Sequence, residues 1–302
     1  MYSPIVLFVY NRPWHTRKTV DALLRNSEAS ESDLYIYSDA AKSEVDVASV
    51  CEVREYINNI KGFRSIKVIE RKYNYGLAKS IIDGVSSVIN RYDCAIVLED
   101  DLLVSSYFLE YMNSALKKYE NELHVMQISG HMFPVSVVRS TDAVFLPMVT
   151  SWGWATWGRA WRLFDENAEL YSSLVANMEL RNRFNLNGGY DYFSMLESQR
   201  AGRVDSWAIR WYLTVFMRDG LTLFPAKSMV ANAGFDGSGV HCGRLASSVL
   251  MPDPYFRVVK FPSIFLDQAL QYEINAYLSK ENNFYISMKN RLKEMFFKIV
   301  GI

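Results

Sequence analysis

The chain has 302 residues, half of them apolar and 14% aromatic, enough to bury a sizeable core in one large domain or two closely joined ones. Lys plus Arg equal Asp plus Glu at 33 each, so no overall field draws nucleic acid or a membrane, and any such contact must come from a local patch. Cys51, Cys94 and Cys242 lie far apart without paired spacing, which excludes a disulfide framework or zinc cluster and predicts a reducing compartment, the cytoplasm.

The opening MYSPIVLFVYNRP lacks a basic n-region and reads as a first strand, not a secretion signal. No stretch approaches the roughly 18 to 20 apolar residues needed to cross a bilayer. Short β-branched runs at Ile5–Val9, Leu34–Tyr37, Ile66–Ile69 and Ala95–Leu98 predict buried parallel strands. Helical patterns near Thr16–Arg25, Val45–Ile60 and Leu77–Ile89 alternate with them, and Ser43 with Asp46 suggests a capping box for the second helix. This order predicts an α/β fold with an open, mostly parallel sheet flanked by helices. Ligands of such sheets sit beyond the carboxyl ends of the strands. After about residue 130 the pattern changes: strands near Ala143–Met148 and Leu221–Phe224 flank a Trp-rich segment and helices near Tyr190–Ala201 and Ser206–Arg218. The second half, 131–280, therefore reads as the other side of a cleft whose first side is 1–130, not as an independent domain.

Ala95-Ile96-Val97-Leu98 runs straight into Glu99-Asp100-Asp101. Three adjacent acids at a strand end repel one another unless neutralised, and a hard cation, Mn²⁺ or Mg²⁺, does so with carboxylate, phosphate and water oxygens. A solvated turn capping the next helix is the plainer alternative. With the aromatic segment Tyr107-Phe108-Leu109-Glu110-Tyr111 behind it, Leu98-Glu99-Asp100-Asp101-Leu102 resembles the Glu-Asp-Asp segment of N-acetylglucosaminyltransferase I and of family 2-like bacterial sugar transferases, inverting enzymes of the GT-A fold. The resemblance runs loosely from about residue 3 to residue 243.

That resemblance implies a GT-A-like fold, with Asp101 as the metal ligand and Glu99 and Asp100 facing the ribose and donor sugar. It places Tyr10, Asn11 and Arg12 at the nucleotide, where a guanidinium can fork onto a diphosphate. Asp39 would accept the N3–H of uracil, or else cap a turn. Arg71, Asn74, Gly76 and Lys79 belong to an Asn-x-Gly turn opening a helix, which offers backbone N–H groups and a favourable dipole to an anion. Thr150-Ser151-Trp152-Gly153-Trp154-Ala155-Thr156-Trp157-Gly158 matches a Gly-Trp segment lining the donor-sugar pocket, with Gly153 and Trp154 at the sugar and part of the cluster in the core.

Asp205, followed by Ser206-Trp207, matches the place of the catalytic base; it can instead cap the helix that begins there, and Asp191 and Asp219 compete for the role. His241, ending a Gly-rich loop, would complete the metal shell or contact diphosphate. Tyr285, Met288, Leu292, Met295, Phe296 and Ile299 share one face of a C-terminal amphipathic helix over 281–302, with Lys289, Arg291, Lys293 and Lys298 on its shoulders. Such a helix suits peripheral contact with the inner face of the membrane, or docking on its own domain.

The expected function is thus metal-dependent, inverting transfer of a sugar, from a UDP-sugar by resemblance, to a glycan or lipid-linked saccharide acceptor, as in bacterial surface polysaccharide synthesis. No nucleic acid is expected as partner. The alternatives are a sugar-1-phosphate nucleotidyltransferase, which should carry a Gly-rich phosphate loop after the first strand where this chain has Asn11-Arg12-Pro13-Trp14, and a non-catalytic carbohydrate-binding protein, which gives no reason for the acid triplet.

Overall fold

A computed structural model describes residues 2–136, 140–234 and 251–281. His241 and all but the first residue of the predicted C-terminal helix lie outside them. Among the described residues no helix is long and apolar enough to cross a membrane.

The first half follows the expected alternation. It runs β1 (Ile5–Val9), α1 (Pro13–Leu24), β2 (Asp33–Ser38), α2 (Val47–Ile57), β3 (Ser65–Glu70), α3 (Leu77–Tyr92) and β4 (Cys94–Glu99). Then come β5 (Leu102–Val104), α4 (Phe108–Lys118), β6 (Val125–Ser129), β7 (Ala143–Leu146), β8 (Trp154–Trp157) and the single turn α5 (Gly158–Trp161). The chain continues through α6 (Tyr171–Ala176), α7 (Met178–Phe184), α8 (Tyr192–Arg200), α9 (Trp207–Phe216), β9 (Leu221–Pro225) and β10 (Val230–Asn232). A last helix, α10, covers 268–281.

Eight strands form one sheet in the order β3-β2-β1-β4-β8-β6-β9-β7, and β5 pairs with β10 in a separate ribbon. Strands β1 to β4 are mutually parallel; β8 runs against both β4 and β6, and β7 against β9. The sheet is therefore mixed but mostly parallel, and it spans both halves of the chain without interruption.

Strand geometry divides the core. Successive side chains point to opposite faces, so Ile5, Leu7 and Val9 join Leu34, Ile36, Ile96 and Leu98 under α1, α2 and α4. Val6, Phe8, Tyr35, Tyr37, Ala95 and Val97 join the apolar stripe of α3, Ile81, Val85, Val88 and Ile89, on the other face. Burying both faces explains why these strands read as continuous apolar runs. β3 is the exception: as the edge strand it alternates exposed and half-buried positions over Ser65–Glu70.

Ser43 and Asp46 make only half of a capping box. Ser43 Oγ donates to the Asp46 carboxylate at 2.7 Å and caps no helical N–H, the Asp46 carboxylate reaches back to the Ser43 backbone N–H, and α2 starts only at Val47 after a short 3₁₀ turn. The Trp-rich segment, expected as pocket wall, is the antiparallel strand β8. Trp154 is 1% exposed and its ring lies 5.0 Å from Trp207 and 5.6 Å from Trp161. Its indole fills the core between β8 and α9. Trp154→Ala is therefore expected to cost about 3–5 kcal/mol of stability, read from the denaturation midpoint at unchanged slope; a loss below about 1 kcal/mol would remove it from the core.

Candidate functional site

Strand order locates the site. The chain steps outward from β1 to β2 and β3, then returns to place β4 on the other side of β1. At such a switch point the two crossovers diverge and leave a crevice at the carboxyl ends of the central strands. Tyr10, Asn11 and Arg12 leave β1 there, and Glu99, Asp100 and Asp101 leave β4.

The two segments are bound to each other. The Arg12 guanidinium pairs with the Asp100 carboxylate and, at 3.0 Å, with Asp101 Oδ2. Thr19 Oγ1 donates to the Asp100 carbonyl at 2.8 Å, tying the first turns of α1 to the same corner. Burial opposes the charge on Arg12, but the two aspartates hold its pKa above the ordinary value. Burial raises the Asp100 carboxyl, against the pull of Arg12. Glu99 is pushed up to about 8, first by burial and then by repulsion from Asp101 and Asp100. With Glu99 largely protonated near pH 7, Asp100 and Asp101 face one guanidinium, which leaves one negative charge uncompensated in this corner and a second acid ready to ionise when a cation arrives.

Asp101 receives a second support from far along the chain. The Ala233 N–H donates to its carbonyl at 2.8 Å, and Gly234 packs on its carboxylate so closely that a methyl there would overlap Oδ2. Residues 232–234 lead into the segment carrying His241, so the acid corner sits at that segment's root.

The remaining first-half candidates leave the carboxyl ends of β1, β2 and β3 at the same edge of the sheet. The Asp39 carboxylate accepts the N–H groups of Ala40 at 2.9 Å, Tyr75 at 2.8 Å and Gly76 at 2.9 Å, and Asn74 Nδ2 donates to the Ala40 carbonyl at 2.7 Å. Asp39 and Asn74 thus clamp the loop that opens α3. Asn11 spends its amide on Asp46 at 2.8 Å, while the Tyr10 hydroxyl accepts from Lys42 N at 2.9 Å. Arg71 pairs with Asp83 and lies 4.5 Å from the Tyr75 ring centre, with Lys79 Nζ also 4.5 Å from that ring. Two N–H groups here are buried without a hydrogen-bond partner: Arg12 Nη1 and Arg71 Nε. Such donors cost about 1–3 kcal/mol each when unsatisfied, and both belong to guanidiniums at strand ends on this edge of the sheet.

The second half adds a wall. At the end of β6, His131 sits with its ring 4.5 Å from Trp152 and Nδ1 3.3 Å from Ser228 Oγ. Burial pushes its pKa down to about 4, so the imidazole is neutral near pH 7. Gly153, in the left-handed region at φ +59°, turns the chain between half-buried Trp152 and enclosed Trp154. Sequence reasoning singled out Trp154 and passed over His131; the signal available was position, since His131 follows a central strand as Arg12 and Glu99 do.

Asp205 precedes α9 but does not cap it: the cap is Ser206, whose Oγ accepts from Ile209 N at 3.4 Å. Helix α9 leads into β9, which runs parallel to β6, so its N-terminus lies at the same carboxyl edge as the acid triplet. Asp205 is 63% exposed in its side chain and is held through Oδ1 by Arg210 Nη2 at 3.1 Å. Arg210, itself buried, also donates to the Ser206 and Glu166 carbonyls. Of the competitors, Asp191 is the N-cap of α8, and Asp219 lies in the turn before β9, at the opposite edge, 3.4 Å from Arg183.

No family model and no curated protein matches the chain. Among solved structures, fragment 1–349 of TarS from S. aureus is similar over 55% of this chain and 49% of that one, at 13% identity and TM-score 0.39. The same fragment in complex with UDP-GlcNAc gives 54% and 47%, 14% identity and 0.36. The mannosyltransferase PcManGT from Pyrobaculum calidifontis, in complex with GDP-Man and Mn²⁺, gives 72% and 70%, 11% identity and 0.38. The chain spans about half the length of the TarS fragment. Likenesses of this size bear on neither the fold nor the chemistry of the chain, which rest on its own residues.

A hard cation suits the donors present. Among the described residues the anionic ligands in the corner are carboxylate oxygens, and one negative charge there lacks a partner. Among the described residues no three of His, Cys, Asp and Glu converge into a closed cage. Mg²⁺ is held in this open manner, by one or two carboxylates with substrate phosphate and water completing its shell.

Proposed function

We propose that the protein is a metal-dependent, inverting glycosyltransferase that moves a sugar from a nucleotide sugar to the hydroxyl of a glycan or lipid-linked acceptor. The observation that carries this reading is the pairing of opposite needs at one edge. Arg12 has a buried N–H group without an acceptor, and the acid triplet it pairs with has charge to spare; Arg71, with a buried N–H of its own, leaves the same edge two strands away. A diphosphate satisfies Arg12, and a divalent cation shared with that diphosphate satisfies the acids.

In this reading Asp101 and a neighbouring carboxylate hold Mn²⁺ or Mg²⁺, and His241, at the end of the Gly-rich stretch, completes the metal shell or contacts the diphosphate. The ion, when bound, would offset charge developing on the departing diphosphate. Arg12 Nη1 donates to phosphate oxygens, and Arg71 and Lys79 add charge near the start of α3. Asp39 serves the nucleotide indirectly, by fixing the 74–76 loop, because its oxygens are already occupied by backbone N–H groups. Trp152, in place of the enclosed Trp154, stands at the donor sugar, with His131 against its edge. Asp205 removes the proton from the attacking hydroxyl, and Arg210 fixes its orientation. A UDP-sugar is the donor favoured by resemblance.

The test is a panel of nucleotide sugars with Mn²⁺, read as thermal shift and slow donor hydrolysis. One nucleotide sugar should stabilise the chain only with metal present and should release nucleoside diphosphate. Release of pyrophosphate from an NTP and a sugar 1-phosphate would favour the nucleotidyltransferase instead, and a panel without response would sink both.

A further inference from the structure

A second concavity lies far from the acid triplet. Where β9 begins and α9 ends, at the sheet edge opposite the carboxyl ends of β1 and β4, two cavities of about 470 and 390 Å³ share Asn187 and Gln271 in their walls. Both are open to solvent, and they adjoin at Asn187 and Gln271 to give a shallow groove between the 186–189 turn and α10.

The chemistry of the larger cavity is narrow. Its polar side chains are neutral: Asn187, Gln268, Gln271 and Asn275, with Ser279 and an exposed ring, Tyr272. Among the described residues no lysine, arginine, aspartate or glutamate lines it, so they offer a phosphate, nucleotide or metal ion no counter-charge. Side-chain amides donate and accept at once, as sugar hydroxyls do, and a tyrosine face suits the C–H face of a pyranose. Asn275 Oδ1 is buried without a hydrogen-bond partner. The turn is held at cost: Leu186 and Asn187 have φ of +51° and +54°, and strained residues of this kind gather at ligand clamps. In the smaller cavity the charges among the described residues are Arg183 and Asp219, which face each other at 3.4 Å and cancel.

We infer that this groove is a second, non-catalytic saccharide site that binds a short uncharged oligosaccharide along the 186–189 turn and α10. Its place on the opposite edge makes it independent of the donor site, so a glycan held here is not the one being extended at the acid triplet by the same contact.

Saturation-transfer NMR on the full chain tests it, with chitotetraose, cellotetraose and maltotetraose as probes and tetragalacturonate as the anionic control. At least one neutral probe should bind. Tyr272→Ala, at a ring that is 76% exposed, and Asn275→Ala, which removes an unsatisfied atom, should each keep the melting temperature and weaken that binding about tenfold. Asp101→Ala should leave it unchanged, which separates this result from the fate of the transferase reading. The inference is overturned by silence from all three neutral probes, by binding of tetragalacturonate alone, or by equal binding in both groove variants.

Discussion

Asp205→Asn is expected to bind donor as the parent chain does and to transfer sugar more slowly by roughly 10²–10⁴-fold, the usual contribution of a positioned base. Inversion at the anomeric carbon requires one group to take the proton of the attacking hydroxyl on the face away from the leaving diphosphate. Asp205 has the right edge of the sheet, an exposed side chain, and one oxygen fixed by Arg210 while the other makes no hydrogen bond among the described residues. Asparagine keeps the shape and the Arg210 contact and loses only the basic oxygen. Donor affinity from thermal shift and product formation in a single turnover separate the two effects. Asp191→Ala should lower stability by about 1 kcal/mol through the α8 cap without a comparable fall in rate. If Asp205→Asn transfers within a few-fold of the parent, the base lies elsewhere.

Asp101→Ala should abolish metal-dependent stabilisation by donor while leaving the free protein folded. At a donor concentration one hundred times Kd, binding contributes about 2.7 kcal/mol, which for a chain of this size raises Tm by several degrees. The variant should show no such rise with Mn²⁺. Its own stability should hold, because removing one of three crowded acids relieves repulsion and Asp100 remains to pair with Arg12. Gly234→Ala reaches the same oxygen from the other side, pressing a methyl against Oδ2, and should weaken donor binding with the carboxylate still present. An Asp101→Ala chain that still responds to donor and Mn²⁺ together would remove the carboxylate from the proposal.

The first-half strands and helices could be read because period alone distinguishes a five-residue β-branched run from an amphipathic helix. β5, β8 and β10, of three or four residues each, offer too short a window for any period, and in β8 all four positions are buried, so Trp-Ala-Thr-Trp carries no alternation. The site shows the same division. Arg12 and the acid triplet were visible because adjacent strand ends must meet wherever the sheet order reverses. That Asp39 is filled by backbone donors 36 and 37 residues away, or that a glycine 133 residues on presses Asp101, is a property of loop closure that residue types do not record. Trp154 was misplaced for a related reason: an indole suits a sugar and a core equally, and only the stacking of Trp207, two residues past Asp205, decides between them.

The late antiparallel strand has a consequence for synthesis. β8 joins β4 to β6, yet it follows both in the chain. While a ribosome is still making residues 100 to 153, the array β3-β2-β1-β4 can already be assembled with its flanking helices, but the backbone of β4 has no neighbour on its far side. An unpaired apolar strand of this kind invites pairing with another nascent chain. The interval closes only when Trp154–Trp157 emerges, so the growing polypeptide is most exposed to misassembly, and most dependent on chaperone cover, during the translation of that middle third.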